Sequence, residues 1–328
     1  LENAEMKEQQ KARYRAGMAA ALLLPLAAAS AADLDFEVSA GAVTSDNVAR
    51  QAVNEQSETI ATLGTNFSFE QRTRRVDTEL VGNFAYNEYL DDTFDSELIG
   101  NFAGRSRIAL VEDRLVWNLS DNFGQALADP FQPETPDNRQ NVNYLSTGLD
   151  GRFALGSQNV LGLGATFALA TYETLPLDSS TLGFDANFTR LISSGNSLGF
   201  NVRSAQIRYS ENALSANDYD QREAFVRYAV DGARTRLTAD GGYTGIDREV
   251  GGSQSGALLR VDLARRLSSS STLSLNLGQE FSNSAAAFAL TQGSGIISLN
   301  SVPGRQNAAP FTLRRASARW DLTGRRTD

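Results

Sequence analysis

Apolar and polar residues alternate along most of this chain. Between Val76 and Tyr86, the residues Val76, Thr78, Leu80, Gly82, Phe84 and Tyr86 share one face, and Asp77, Glu79, Val81, Asn83 and Ala85 share the other. Leu98 and Phe102 oppose Asn101 and Ala103, and Leu115, Trp117 and Leu119 oppose Arg114, Asn118 and Ser120. Leu161, Leu163, Phe167 and Leu169 form one face of a further stretch. Leu182, Phe184, Ala186 and Phe188 alternate with Asp185, Asn187 and Thr189, while Leu273, Leu275, Leu277 and Phe281 alternate with Ser274, Asn276 and Glu280. A period of two marks strands, since a helix repeats at 3.6 residues. The pattern predicts about fourteen strands: 35–44, 58–70, 74–89, 95–108, 113–122, 143–155, 160–173, 180–192, 197–211, 219–230, 235–247, 256–267, 271–282 and 311–323. Many reach the 9–11 residues that a tilted strand needs to cross a bilayer.

The connections alternate in length. Short ones fall at 71–73, around Glu112, and at 156–159, 193–196, 231–234 and 268–270. Longer ones fall at 45–57, 90–94, 123–142, 174–179, 212–218, 248–255 and 283–310. Tight periplasmic turns and longer extracellular loops are the layout of an all-β, transmembrane antiparallel up-and-down β-barrel that starts in the periplasm. The second face of the strands is polar and charged, as a water-filled lumen requires. Tyr86, Tyr89, Trp117, Tyr172, Tyr209, Tyr228, Tyr243 and Trp320 lie where an aromatic girdle would sit. The phase breaks once: Ala205, Ile207 and Tyr209 are out of step with Leu198, Phe200 and Val202, which predicts a β-bulge near Ser204. The segment Gly295–Leu299 reads as a short hairpin strand inside the last long connection.

The two ends read differently. Lys11, Arg13 and Arg15 precede the apolar run Met18–Leu26, and small residues follow through Ala32. Residues 1–32 therefore read as a secretory signal peptide, cleaved after Ala31 or Ala32, with residues 33–328 as the barrel. Leu1 in place of Met points to a fragment or to extra upstream residues. The terminal run Arg325-Arg326-Thr327-Asp328 resembles a turn and carries no closing aromatic, which predicts further C-terminal hairpins and about sixteen or more strands in all.

Composition narrows the chemistry. The chain of 328 residues has no Cys and no His. That removes disulfides, thiolate metal sites, imidazole ligands and His-dependent triads. Only Lys7 and Lys11 are lysines, so the mature wall carries its positive charge as arginine, from genomic base composition or because guanidinium suits a polar lumen. Loss of residues 1–32 takes away four basic and three acidic side chains, moving the net charge from −9 to about −10. A strongly acidic exported chain is a poor partner for nucleic acid. No catalytic residue, cofactor or metal site is expected. Asp91, Asp92 and Asp95 make a weak calcium candidate against the commoner alternative of solvated acids at a loop tip.

Two constellations stand out. The segment 121–150 holds Pro130, Pro133 and Pro136 and predicts a third external loop. Asp129, Glu134, Asp137 and Arg139 either line a constriction there or sit on an ordinary surface loop. The inward set holds Asp185, Arg203, Arg227, Arg236, Asp240, Arg260, Asp262, Arg315 and Arg319, with Glu223, Glu280 and Asp321 on the same face. Such a wall either sets solute preference or is closed up by its own ion pairs.

Three short stretches carry a resemblance: Asp46-Asn47-Val48, Asp121 to Gln125 (DNFGQ) and Pro136 to Gly148 (PDNRQNVNYLSTG). With the alternating strands, they are similar to a family of outer-membrane β-barrel porins associated with exopolysaccharide biosynthesis and export, including VpsM- and EpsL-like proteins and PEP-CTERM-associated outer-membrane proteins. The resemblance implies a Gram-negative outer-membrane location and a barrel of about sixteen or more strands. It also implies a path for polysaccharide beside periplasmic export machinery. A general diffusion porin and a non-conducting scaffold barrel remain open as alternatives.

Overall fold

A computed structural model describes residues 32–129, 131–293 and 308–323. The expected leader, the hairpin strand at Gly295–Leu299 and the terminal Arg325–Asp328 turn lie outside the described residues. Fourteen antiparallel strands form one sheet in chain order, each bonded to its sequence neighbours. They are β1 (Ala32–Ser45), β2 (Glu58–Arg72), β3 (Val76–Tyr89), β4 (Glu97–Val111), β5 (Leu115–Leu127), β6 (Arg139–Ala154), β7 (Asn159–Tyr172), β8 (Ser179–Ser193), β9 (Asn196–Tyr209), β10 (Tyr219–Asp231), β11 (Thr235–Arg248), β12 (Ser253–Ser268), β13 (Ser271–Ser282) and β14 (Phe311–Leu322). One α-helix, α1 (Ser284–Gly293), follows β13. Among the described residues no ladder joins β14 to β1.

The sheet curls. Helix α1 leaves the end of β13 and touches β4, β5 and β6, seven to nine strands away in sheet order, so it crosses the concave side. Alternation then assigns each side chain to the inner or the outer face. Phe167, Leu182, Phe184, Phe188, Leu198, Phe200, Val202, Val226, Tyr228, Leu259 and Trp320 point outward and are all more than a third exposed. A monomer in water does not show a continuous apolar band of this extent. Lipid solvates it without penalty, and the strand ladder satisfies the backbone polar groups. The architecture is therefore that of an outer-membrane barrel wall.

Several expectations need correction. Strand β9 keeps unbroken register with both β8 and β10 through Ser204, so there is no bulge there. Register shifts occur instead at Ala109/Val111, Leu191/Ser193 and Arg266/Ser268, each beside a short turn. Ala205, Ile207 and Tyr209 break the hydrophobic phase because they face inward onto an apolar cluster. The third long connection shrinks from 123–142 to 128–138: Gly124–Leu127 pair with Arg139–Val142, and Pro133 and Pro136 fall within what remains. The aromatics also divide. Tyr86, Trp117, Tyr228, Tyr243 and Trp320 face outward, whereas Tyr89, Tyr172 and Tyr209 face inward and are buried or nearly so. Near the periplasmic end each outward Trp donates its indole N–H to a hydroxyl on the next strand, Trp117 to Thr147 (2.7 Å) and Trp320 to Ser271 (2.8 Å).

Candidate functional site: the inner wall and its plug

The inner wall of β8 to β14 carries the charges that the alternation assigned to it. Strand register sets Arg203 opposite Glu223, Arg227 opposite Asp240, and Asp240 in turn opposite Arg260. Directly opposed residues bring their Cβ atoms to roughly 5 Å, within reach of a salt bridge. Arg227 grips Asp240 with two parallel bonds, both 2.7 Å, and the Asp240 side chain is 1% exposed. Arg260 donates to both Glu223 oxygens at 3.1 Å and to Glu280 at 2.6 Å, and Arg315 reaches the other Glu280 oxygen at 2.6 Å. Paired carboxylate–guanidinium forks are strong because both partners are ionised and planar.

A ring sits among these cations. Phe225 is 1% exposed, and the guanidinium carbons of Arg203, Arg227 and Arg260 lie 5.3, 5.6 and 5.5 Å from its centroid. Its π face adds a weak attraction for each cation. Directly opposite stands Gly242, where an added Cβ would meet the Ala224 carbonyl oxygen at 2.2 Å and the Phe225 Cα at 2.5 Å. Four arginines (203, 227, 260 and 315) thus share three carboxylates (Glu223, Asp240 and Glu280), leaving one surplus positive charge. The surplus falls on Arg203. Its closest carboxylate is Glu223 at 3.9 Å, and its side chain is 45% exposed.

The remaining candidates divide by depth. Asp185 lies over Gly164 and lines a small recess with Asn187, Thr189, Asn201, Arg203 and Arg227. Asn276 joins Asp262 to Arg315. Arg236 pairs with Asp231 (3.3 Å) and Arg319 with Asp321 (2.8 Å), and these two pairs are well exposed near the periplasmic rim. A larger concavity of about 690 Å³ opens on the inner side of β3 to β8 at the periplasmic end, ringed by Arg74, Asp77, Arg107, Asp150 and Arg152 among others.

The segment that lies across the inner wall at the extracellular end is not the one the prolines suggested. The 128–138 connection is folded on itself. Asn138 bonds the backbone of Asp129, Gln132 and Pro133, while the Asp129 carboxylate accepts from the Phe131 N–H. Asp137 is exposed and Glu134 half-buried, and neither has an ion pair among the described residues. Arg139 is not in the loop; it opens β6 and donates to Glu97 at 2.8 Å. What lies against the inner wall is α1. Its run Ser-Ala-Ala-Ala-Phe-Ala-Leu favours helix, and Asn283 caps it, accepting from the Ala286 N–H at 2.8 Å. The same Asn283 donates to the Tyr219 hydroxyl at 2.9 Å. Phe288, 1% exposed, packs with Ala126, Val142, Ala170, Tyr172 and Ala308. Asp91, Asp92 and Asp95 do not converge, and no group able to hold a metal occurs among the described residues.

Glu58 sits at the extracellular tip of β2, beyond the apolar band. Burial alone would raise its pKa, but N–H bonds from Asp91 (2.9 Å), Thr93 (3.1 Å) and Thr59 (2.8 Å) outweigh that and hold the carboxyl below its usual range.

No family model matches the chain, and no curated protein matches it. Among solved structures it is similar to the G324V mutant of PfeA, the ferric enterobactin receptor of Pseudomonas aeruginosa, at 8% identity and a TM-score of 0.37 over 79% of this chain and 45% of that one. It is also similar to OmpT, an outer membrane protein of Vibrio cholerae, at 11% identity and a TM-score of 0.34 over 90% and 98% of the two chains. The chain spans less than half the length of the receptor. Neither likeness bears on what this chain binds or carries.

Proposed function

We propose that this chain is an outer-membrane barrel of an exopolysaccharide export system, offering a polar path to polysaccharide without chemistry of its own. The observation that supports the reading is the inner wall of β8 to β14. Most of its charges are compensated by shared carboxylates, so a sugar chain meets fixed hydrogen-bonding groups rather than a deep electrostatic trap. Arg203 is left half-exposed to contact passing carboxylates or hydroxyls. Periplasmic export machinery would deliver the chain at the wide periplasmic concavity. The α1 plug favours a second reading, a closed scaffold barrel that docks such machinery and conducts nothing, because the helix crosses the concave side at the extracellular end.

Planar-bilayer recording separates these readings. A polysaccharide path predicts steady conductance that acidic oligosaccharides block more than neutral ones, with the difference reduced in Arg203→Gln. Conductance indifferent to sugars would mean a general diffusion porin. Silence, even after the plug contacts are removed, would leave the scaffold.

A further inference from the structure

The β4–β5 ladder ends early. Its register runs from Val111↔Leu115 to Phe102↔Phe123 and stops, although β4 continues to Glu97 and β5 to Leu127. Both strands stay paired on their far sides over that stretch, β4 to β3 as far as Asn87↔Glu97 and β5 to β6 as far as Leu127↔Arg139. The β12–β13 register also stops short, at Leu259↔Gln279, but there β13 ends three residues later and turns inward toward α1. At β4–β5 two intact strands run side by side without a ladder.

Side chains fill the break. The Gly100 N–H, on a backbone with φ 144°, bonds to the Gln125 side chain at 2.9 Å instead of to a β5 carbonyl. Arg139 latches to Glu97 at 2.8 Å, and the Tyr89 hydroxyl donates to the same Glu97 oxygen at 2.6 Å. A few side-chain bonds thus replace a cooperative ladder, and strand separation here needs no unzipping elsewhere.

Wall polarity inverts at the same place. On the outward face of β5 and β6, where neighbouring strands show Leu and Phe, stand Asp121, Gln125, Asn141 and Asn143, interrupted only by Phe123 between the first two. Asp121 is 8% exposed, bonds to the Asn143 side chain, and has one carboxylate oxygen without a hydrogen-bond partner among the described residues. On the inward face stand Ala126, Val142, Ala170 and Tyr172, under Phe288 of α1. Polar groups facing a bilayer mark function more often than packing. Asp121 and Gln125 are already covered by their own chain, which disfavours a second copy as their partner.

We propose that the β4–β5 break is a lateral seam that admits the acyl chain of a membrane amphiphile to the apolar cluster beneath α1. The polar headgroup stays outside, at the mouth of the seam beside Asn141 and Asn143. Arg139–Glu97 is its latch. The inference rests on the membrane-barrel reading, and its test separates the two.

The full-length protein is refolded into phosphatidylethanolamine vesicles whose acyl chains carry bromine, a short-range quencher. Because the chain has no cysteine, a bimane label can be placed at Tyr144→Cys, beside the cluster, or at Ser274→Cys, on the inner wall behind intact ladders. The outward Trp117 and Trp320 report insertion and are quenched in every variant; absence of that quenching would remove the membrane reading itself. With insertion established, bimane at Tyr144→Cys is quenched severalfold more than at Ser274→Cys, and more again when Arg139→Gln opens the latch. Equal quenching at both positions, with and without the latch, overturns the seam. A heat-modifiable gel shift confirms folding of each variant.

Discussion

The Tyr209 hydroxyl donates to the Ala308 carbonyl at 2.6 Å, tying β9 to the far end of the connection that leaves β13. With Asn283–Tyr219 at its near end, this bond anchors the β13–β14 connection at both of its ends. A single buried hydrogen bond contributes about 1 kcal/mol, or about fivefold in an equilibrium. Tyr209→Phe is therefore expected to raise the open fraction in bilayer recordings about that much. Phe288→Ala, which removes the central apolar anchor, is expected to raise it further, since burying an aromatic contributes about 3 kcal/mol or more. Unchanged conductance in both variants would show that α1 does not limit passage.

Arg227 and Asp240 form a pair in which one partner is almost sealed. Arg227→Ala leaves a buried carboxylate with only Arg260 nearby at 3.9 Å, and breaking such a pair costs about 3–5 kcal/mol. Arg227 itself is 39% exposed, which places the expected loss toward the lower end of that range. Thermal unfolding in detergent, read by the heat-modifiable gel shift, should fall clearly for Arg227→Ala and much less for Arg227→Met with Asp240→Leu.

Adjacent glycines on β11 should behave oppositely. A Cβ at Gly242 runs into backbone atoms of Ala224 and Phe225, whereas one at Gly241 meets nothing within 4 Å. Gly242→Ala must push the β10–β11 ladder apart and displace Phe225, at a cost of about 3 kcal/mol or more. Gly241→Ala should be neutral within about 0.5 kcal/mol. Comparable unfolding curves for the two variants would show that the close approach is not real.

The connection after β3 should be sensitive to acid. The Glu58 pKa is lowered on folding, so its contribution is present above the unfolded value near 4.5 and is lost as pH falls through the lower folded value. Hydrogen exchange at the Asp91 and Thr93 amides, corrected for intrinsic rate, should speed up in the native chain only once pH has fallen below the ordinary carboxylate range. In Glu58→Gln it should already be fast at neutral pH. Protection that ignores both changes would mean that other contacts hold the loop.

Much of this was legible in the chain. Alternation of period two names the inner or outer face of a side chain as soon as a strand is recognised, so Arg203, Arg227, Asp240, Arg260 and Arg315 could be placed on one wall before any contact was known. Their pairing was not legible, because it depends on register between strands, and register is set by turn lengths and twist. The plug was missed for a different reason. Its alanine run carries a helical preference, but the surrounding pattern is read for strands, and only the inward phase of Ala205, Ile207 and Tyr209 betrayed an apolar partner. A bulge explains the same three letters equally well. Prolines drew attention to 128–138 as a constriction, yet proline reports only where strands stop, and Asn138 folds that loop onto itself.

Helix α1 carries no charged side chain in the run Ser284–Gly293. An electric field does work only on charge that moves through it, about 2.3 kcal/mol per elementary charge for 100 mV. A potential across the membrane therefore has almost no grip on this helix beyond its peptide dipoles. If the plug leaves the barrel, a mechanical pull or a competing apolar surface must draw it out, and voltage ramps should leave it where it is.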